Sequence, residues 1–268
     1  MLDHYANQAS GLLGLGCHSG PRLIAMVSHG DEQAELPLLW QLCLSLVNFG
    51  YSITVLDATT PESESNPGLE QLLGNAHWRG DGVRDMPAWT VIPSAKGIQT
   101  LSASHGGDSS SLHQLRHLLP PEGVVVLYSK VEWMTPLISD WSIEPLLVVS
   151  PLQTSLLTSY MALKRMLITG KLKPTIINML QDSDLHSPPS SLSASTGLSA
   201  CAKRFLGCEC KTLNIREQRG EPQPCAEVQS LALRLLENAM PLGKKTASDG
   251  AGLRLPQVRD FDQFAESH

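Results

Sequence analysis

Short apolar runs alternate with amphipathic runs along most of the chain. The run Val124–Tyr128 is apolar throughout and too short for a typical helix, which favours a strand buried on both faces. Leu36–Phe49 carries its apolar residues at helical spacing, which predicts an amphipathic helix that ends near Gly50. The predicted strands are Leu23–Val27, Ser52–Leu56, Trp89–Ile92, Val124–Tyr128, Leu146–Val149, Thr175–Met179 and Cys210–Ile215. The predicted helices are Leu36–Phe49, Leu69–Leu73, Leu112–Leu119, Thr154–Ile168, Leu198–Leu206 and Ala226–Ala239.

This alternation predicts the architecture. Strands that are apolar on both faces and separated by helices indicate a mostly parallel sheet with helices on both faces. Right-handed crossovers then give a doubly wound, three-layer α/β domain. We place the domain at residues 21–240, after an N-terminal arm at residues 1–20 and before a flexible C-terminal tail at residues 241–268. Inside it, Ser102–Ser111 and Ser183–Ser199 are rich in small polar residues and predict surface loops.

Composition excludes several classes of function. The 268 residues include 26 acids and 20 bases, a formal charge of −6, and only 5% are aromatic. A nucleic-acid partner is not expected, because phosphate neutralisation needs clustered bases and base stacking needs aromatic side chains. No apolar run approaches the roughly 20 residues of a membrane span, the first 20 residues do not resemble a signal peptide, and the six cysteines are scattered. These features predict a cytoplasmic protein with reduced thiols, for which membrane contact is not indicated.

The loop after the first predicted strand is where a doubly wound sheet would hold a ligand. It reads SHGDEQAEL over residues 28–36. A phosphate-binding loop needs glycines that let backbone N–H groups point inward, a lysine for the terminal phosphates, and a serine or threonine for magnesium. This loop has one glycine, Gly30, and carboxylates at Asp31, Glu32 and Glu35, but no lysine. We therefore predict a solvated acidic turn in which Asp31 and Glu32 satisfy the dipole of the following helix.

The same loop resembles the opening of the MinD/ParA family of P-loop ATPases, whose motif follows the pattern SGKGGVGKTT. In that register Gly30 stands for the signature lysine, Glu35 for the phosphate-binding lysine and Leu36 for the magnesium-binding threonine. Asp57 matches the family's first aspartate after the second strand. Thr59 stands for the second aspartate, which in the family helps to position the attacking water.

Later landmarks follow in the family's order and extend the resemblance over most of residues 5–240. Val124–Tyr128 resembles the Walker B strand, with Tyr128 in place of its aspartate, and the stretch PLLVVSPLQT resembles the strand before a long helix. Asn178 matches the family asparagine near the base. The resemblance implies a vestigial nucleotide pocket at Gly30, Asp57 and Asn178. Since the lysine, hydroxyl and two acidic positions are replaced, it also implies a protein that is not an enzyme and holds neither a cofactor nor a metal.

The N-terminal arm resembles one branch of that family, the flagellar FlhG (FleN) proteins, whose arm follows the pattern DQAxxLR. Gln8, Ala9 and Leu12 match, whereas Asn7 stands for the aspartate and Leu13 for the arginine. In that branch the arm contacts an FlhF-type GTPase. The resemblance therefore implies a partner-binding segment. Its residues are Asn7, Gln8, Ala9, Gly11, Leu12 and Leu13. A disordered arm with a short amphipathic turn is an equally open interpretation.

Together these observations give one expected function and two alternatives. The first is a non-catalytic FlhG-like protein that controls flagellar placement or number by binding proteins, in the cytoplasm and recruited to the cell pole or the inner membrane face. The second is a scaffold or positioning factor for a secretion or exopolysaccharide (cellulose) apparatus. The third is an ATPase that binds ATP and magnesium by an unconventional route through Asp57 and Asn178. The sequence leaves the oligomeric state open.

Three further patterns have structural interpretations. Cys208 and Cys210 form a single C-x-C pair, which predicts half-buried thiols rather than a zinc site. His113 and His117 are four residues apart without a nearby general base, and we expect them on a solvated helix face. The amphipathic run Val228–Met240 is expected to pack on the sheet rather than on lipid.

Overall fold

The computed structural model describes residues 20–74, 89–104, 109–139, 141–180, 193–216 and 223–242. The arm residues Asn7–Leu13 therefore lie outside the described residues, and so does the predicted tail beyond residue 242. The domain boundaries drawn from the sequence stay predictions.

A single eight-stranded sheet organises the described residues. Its strands are β1 (Arg22–Ser28), β2 (Ile53–Asp57), β3 (Trp89–Pro93), β4 (Val124–Lys130), β5 (Leu146–Val149), β6 (Thr175–Leu180), β7 (Thr212–Arg216) and β8 (Met240–Pro241). The order is β3-β2-β4-β1-β5-β6-β7, and each neighbouring pair in it is parallel. The short β8 runs antiparallel beside β1. Because β4 and β5 flank β1, the crevice at the carboxyl end of β1 lies at the topological switch point, where such sheets bind ligands.

Helices cover both faces of the sheet. They are α1 (Glu32–Asn48), α2 (Leu69–Gly74), α3 (Ala95–Ser104), α4 (Val131–Ile138), α5 (Gln153–Arg165), α6 (Ser193–Leu206) and α7 (Ala226–Asn238). A 3-10 helix spans Ser109–His117, and one π-helical turn, Met166–Gly170, extends α5. Among the described helices, none combines the length and the hydropathy that a membrane span requires.

The central strand explains why both faces of the sheet are apolar. Leu23, Ala25 and Val27 of β1 belong to the core layer beneath α3 to α6. Ile24 and Met26, which alternate with them, belong to the layer beneath α1 and α7. Successive residues of a strand point to opposite faces, so a strand covered on both sides needs apolar residues at every position. The predicted doubly wound, three-layer α/β architecture is confirmed.

Helix α7 packs as the sequence predicts. Its buried residues Val228, Leu231, Ala232 and Leu236 lie at helical spacing. All four belong to the core layer that α7 shares with α1. The apolar face of the Val228–Met240 run is therefore covered by the protein itself.

Several local predictions are wrong or incomplete. The stretch expected as a loop over Ser183–Ser199 is helical from Ser193, and helix α3 extends into the loop predicted over Ser102–Ser111. Leu112–Leu119 contributes to a 3-10 helix rather than an α-helix. The last parallel strand begins at Thr212, after both cysteines of the C-x-C pair. Serine and glycine lower helix propensity, but apolar residues such as Leu198 still anchor these segments to the core.

Candidate functional site

The loop between β1 and α1 lies at the carboxyl end of the central strand. Strand β1 ends at Ser28, and α1 begins at Glu32 with Asp31 at its N-cap. Between them, Gly30 adopts φ +97°, in the left-handed region that favours glycine. A Cβ at this position would meet nothing within 4 Å. Backbone conformation, rather than lack of space, therefore explains the glycine.

Glu35 turns its carboxylate into this loop. The backbone N–H groups of His29 and Asp31 both donate to Oε1 of Glu35, at 3.0 and 3.1 Å. These two donors flank Gly30, whose left-handed conformation lets alternate N–H groups point to the same side. The loop thus forms a concave anion-binding nest, and the side chain inside it belongs to the chain itself.

Tyr128 holds the other oxygen of the same carboxylate. Its hydroxyl donates a hydrogen bond to Oε2 of Glu35. Tyr128 lies near the end of β4, opposite Met26 of β1 and Asp57 of β2, and is only 1% exposed. Burial, reinforced by the negative charge of Glu35, raises the pKa of Tyr128 far above its usual range. The phenol therefore keeps its proton and acts as a donor.

His29 connects Glu35 and its hydrogen-bond donors to the other side of the crevice. Its side chain is 2% exposed, and Nε2 lies 2.6 Å from the carbonyl oxygen of Val148 and 3.4 Å from Oε1 of Glu35. Both neighbours are acceptors, so Nε2 carries a hydrogen. Nδ1 lies 2.8 Å from Oγ1 of Thr158 on α5. The imidazole therefore links the loop to β5 and α5.

The prediction of a solvated acidic turn is wrong. Glu35 is 0% exposed and Asp31 is 7% exposed, and of the three carboxylates only Glu32 lies in solvent. Loop N–H groups and a phenol give Glu35 the hydrogen bonds that water would otherwise provide, which offsets the cost of burying a carboxylate. The carboxylate of Asp31 is less completely hydrogen-bonded, because its Oδ2 has no hydrogen-bond partner within the described part of the chain.

Both carboxylate oxygens of Asp57 accept hydrogen bonds from the turn that follows β2. Its Oδ1 accepts from the backbone N–H of Thr59 at 2.9 Å and from the Thr59 hydroxyl at 2.6 Å. Its Oδ2 accepts from the hydroxyl of Thr60, also at 2.6 Å. Both oxygens therefore stabilise the chain reversal after β2. A magnesium ion would have to compete with these contacts.

Asn178 lies in the other half of the sheet. It is fully buried in β6, beside Val149 of β5 and Asn214 of β7. Its amide Nδ2 donates to Oδ1 of Asn214 at 3.1 Å. Of the three residues proposed for a vestigial pocket, Gly30 shapes the nest and Asp57 lies beside Tyr128, whereas the hydrogen bond made by Asn178 points toward β7.

An apolar groove of about 540 Å³ lies beside Asp57 and Tyr128. Leu36 and Trp40 of α1 form one wall, and Trp89 and Val91 of β3 form the other. Leu36, Trp40 and Val91 are 46%, 61% and 55% exposed. At the position where the resemblance expects a magnesium-binding hydroxyl, the chain therefore presents exposed apolar surface.

The described residues hold no cluster of three or more histidine, cysteine or acidic side chains suited to a metal ion. His113 is half-buried, with its ring centroid 5.7 Å from that of Trp141, whereas His117 is exposed. The expectation of a shared solvated helix face is therefore wrong for His113. Cys208 is buried and Cys210 half-buried, and burial is the main reason that the pKa of Cys210 rises to about 11.

Sequence reasoning missed His29 and Tyr128 as partners of Glu35. Three acidic residues in one loop suggest exposure when only neighbours in sequence are considered. The signal that could have identified the cluster is Tyr128 itself, a hydroxyl at the end of an otherwise apolar strand. In a parallel sheet, that position lies next to the loop after β1.

No family model and no curated protein matches the chain. Solved structures do match it. A plasmid partition protein from Borrelia burgdorferi has 11% identity and a TM-score of 0.51, covering 80% of this chain and 99% of that one. A ParA family ATPase from Chlorobium tepidum has 13% identity and a TM-score of 0.51, covering 80% and 98%. The cell division protein MinD from Aquifex aeolicus has 14% identity and a TM-score of 0.47, covering 83% and 100%. At such identities the likeness concerns architecture, and the chain has the α/β fold of the ParA-family ATPases.

Proposed function

We propose that this chain is a ParA-like protein that does not hydrolyse nucleotide and acts by binding other proteins. The observation that carries the proposal is the position of the Glu35 carboxylate inside the nest. A phosphate entering the loop would meet a negative charge at a few ångströms. At an effective dielectric constant of about 20, each such contact costs about 4 kcal/mol.

The surroundings of Glu35 support the same conclusion. Phosphoryl transfer depends almost wholly on positioning and on stabilisation of charge. Leu36 offers no hydroxyl to magnesium, and Tyr128 offers a neutral phenol that already donates to Glu35. Asp57 already accepts three hydrogen bonds from its own turn. No described residue of this loop supplies a lysine or arginine for the terminal phosphates.

Binding of a protein partner is supported by two features. The groove beside the nest exposes Leu36, Trp40 and Val91, and exposed apolar patches of this kind commonly mark interaction surfaces. The arm sequence from Asn7 to Leu13 resembles a segment that contacts an FlhF-type GTPase. On this basis we further propose that the chain controls flagellar placement or number. It would act in the cytoplasm, with recruitment to the cell pole or the inner membrane face.

The test of the non-catalytic role is a titration of the full chain with fluorescent ATP and GTP analogues and magnesium. We expect no saturable binding up to about 1 mM nucleotide, which corresponds to a binding free energy weaker than about −4 kcal/mol. Hydrolysis should stay at the rate of a buffer blank. Micromolar affinity together with turnover would show that the chain is an ATPase and would end the proposal.

The partner is tested separately by capture of a purified FlhF-type GTPase. We expect the full chain to retain the GTPase and a chain without residues 1–19 to lose it. Gln8→Ala should weaken capture, whereas Ser10→Ala, at a position where the pattern requires no particular residue, should not. Equal capture by all four proteins would remove the flagellar interpretation and leave the non-catalytic role untouched.

A further inference from the structure

The loop after β1 retains the geometry of an oxyanion-binding site. N–H groups from residues on either side of a left-handed glycine converge on one oxygen, which is how backbone nests hold anionic ligands. The N-terminus of α1, a 17-residue helix, follows at once and favours negative charge. What differs from an ordinary site is the origin of the anion, since Glu35 belongs to the first turn of that helix.

We propose that Glu35 is an internal ligand of this nest: its carboxylate holds the loop in an anion-bound conformation without any external ligand. This inference goes beyond the absence of catalysis, because it assigns to the backbone N–H groups of the loop the ability to bind a carboxylate. It follows that removing the carboxylate opens a site for a small oxyanion. The wild-type chain cannot take that ion, since a tethered group already occupies the donors.

Three sets of contacts define what the nest accepts. One carboxylate oxygen meets two backbone N–H groups and lies 3.4 Å from Nε2 of His29, and the other meets the hydroxyl of Tyr128. The two backbone N–H groups and the phenol donate to the carboxylate, whereas Nε2 of His29 donates to the carbonyl oxygen of Val148. The site therefore suits a planar group with two acceptor oxygens, such as acetate or formate.

The carboxylate of Asp31 determines which ligand charge the nest prefers. Its own carboxylate is buried beside the nest, with Oδ2 lacking a hydrogen-bond partner within the described residues. A ligand with two or three negative charges would be repelled more strongly than a monoanion. We therefore expect small carboxylates to bind better than inorganic phosphate.

The experiment is chemical rescue of Glu35→Ala, which removes only the side-chain atoms beyond Cβ. Thermal unfolding is measured with increasing sodium acetate or sodium formate, against sodium chloride at equal ionic strength. Ligand that binds only the folded state raises Tm progressively with concentration. We expect carboxylate to raise the Tm of Glu35→Ala above the chloride curve, phosphate to act more weakly, and the wild-type chain and exposed-site Glu32→Ala to show no difference between salts.

A second measurement covers the case in which Glu35→Ala fails to fold. Glu35→Gln keeps the volume but loses the charge, and a hydrogen bond to a charged acceptor is about twice as strong as one to a neutral acceptor. Amide exchange at His29 and Asp31 should then be about fivefold faster or more than in the wild-type chain. Glu32→Gln, in the same turn but exposed, should leave both amides unchanged.

Two outcomes overturn the inference. One is a folded Glu35→Ala that responds to acetate no more than to chloride, or that responds to phosphate but not to acetate. The other is exchange at His29 and Asp31 in Glu35→Gln that equals the wild-type rate. Failure here is distinguishable from failure of the proposed function, because the latter requires nucleotide binding by the wild-type chain.

Discussion

The hydroxyl of Tyr128 donates to the carboxylate of Glu35 across a separation of 93 residues in sequence. This hydrogen bond joins the first turn of α1 to the end of β4 and lies between two buried side chains. The pair therefore connects α1 to β4 and places a carboxylate, held by a neutral phenol, inside the nest.

Removing the hydroxyl should be costly because the carboxylate stays behind. Tyr128→Phe leaves Oε2 of Glu35 buried without its donor, and an unsatisfied buried acceptor costs about 1–3 kcal/mol. We expect the free energy of unfolding, measured by urea denaturation, to fall by that amount. Tyr160→Phe, on the half-buried side chain of α5, is the matched control and should change it by less than about 0.5 kcal/mol. Equal effects at both positions would mean that the Tyr128 hydroxyl contributes nothing specific.

A lysine at position 35, which the sequence resemblance would expect there, should not confer nucleotide binding on the chain. Glu35→Lys would place an ammonium group among two N–H donors and a phenol that now donate to the carboxylate. Leaving a buried charge without a partner typically destabilises a protein by about 3–5 kcal/mol. We expect a loss of this size in urea denaturation and no gain of nucleotide binding.

Glu32→Lys provides the comparison for that substitution, because Glu32 lies in the same helical turn but is exposed. Its effect should stay near the helix-dipole contribution of about 1 kcal/mol or less. If Glu35→Lys were as stable as Glu32→Lys, the position of the Glu35 side chain inside the nest would be wrong.

The fold was predictable from the sequence, but the site was predictable only in part. Strands such as Val124–Tyr128 are recognisable because burial on both faces requires apolar residues throughout. Helix α4 was missed because Val131–Ile138 contains Pro136 and is only eight residues long, too short for a periodic signal. The burial of Glu35 depends on Tyr128 and on the backbone of its own loop, so no window of neighbouring residues reveals it.

The left-handed backbone conformation of Gly30 should make a side chain at this position measurably destabilising. In Gly30→Ala a methyl group would meet no atom within 4 Å, so the only penalty is conformational, about 1–2 kcal/mol for an L-residue in this region. We expect the free energy of unfolding to fall by that amount and amide exchange at Asp31 to quicken.

Gly197 offers a control with the opposite sign. It lies within α6, where an added Cβ would likewise meet no atom within 4 Å, but its backbone is not left-handed. Gly197→Ala should stabilise the chain by about 0.5–1 kcal/mol, because alanine loses less backbone entropy in a helix. Stabilisation by both substitutions would mean that the left-handed φ imposes no penalty at Gly30.

The thiol of Cys43 should resist alkylation until the chain unfolds. Cys43 is fully buried on α1, and burial raises its pKa from 9.0 to about 12. Because the thiolate is the reactive form, only about one molecule in ten thousand would be reactive at pH 8 even if reagent could enter. Mass spectrometry after iodoacetamide treatment should find Cys43 unmodified in the native chain and modified in urea, whereas half-buried Cys201 should react before Cys43.

The same shift predicts a dependence of stability on alkaline pH. A pKa that is higher in the folded chain than in the unfolded chain favours folding wherever the thiol is protonated in both states, which holds below about pH 9. Between about pH 9 and pH 12 the unfolded chain loses this proton first, so the stabilisation falls by up to about 1.4 kcal/mol per pH unit. Tyr128 contributes to the same decline, because its pKa is also raised. Comparison of the wild-type chain with Cys43→Ala isolates the thiol: the variant should lose less stability between pH 9 and pH 11 in urea denaturation. Parallel pH profiles for the two proteins would mean that Cys43 titrates as an exposed thiol does.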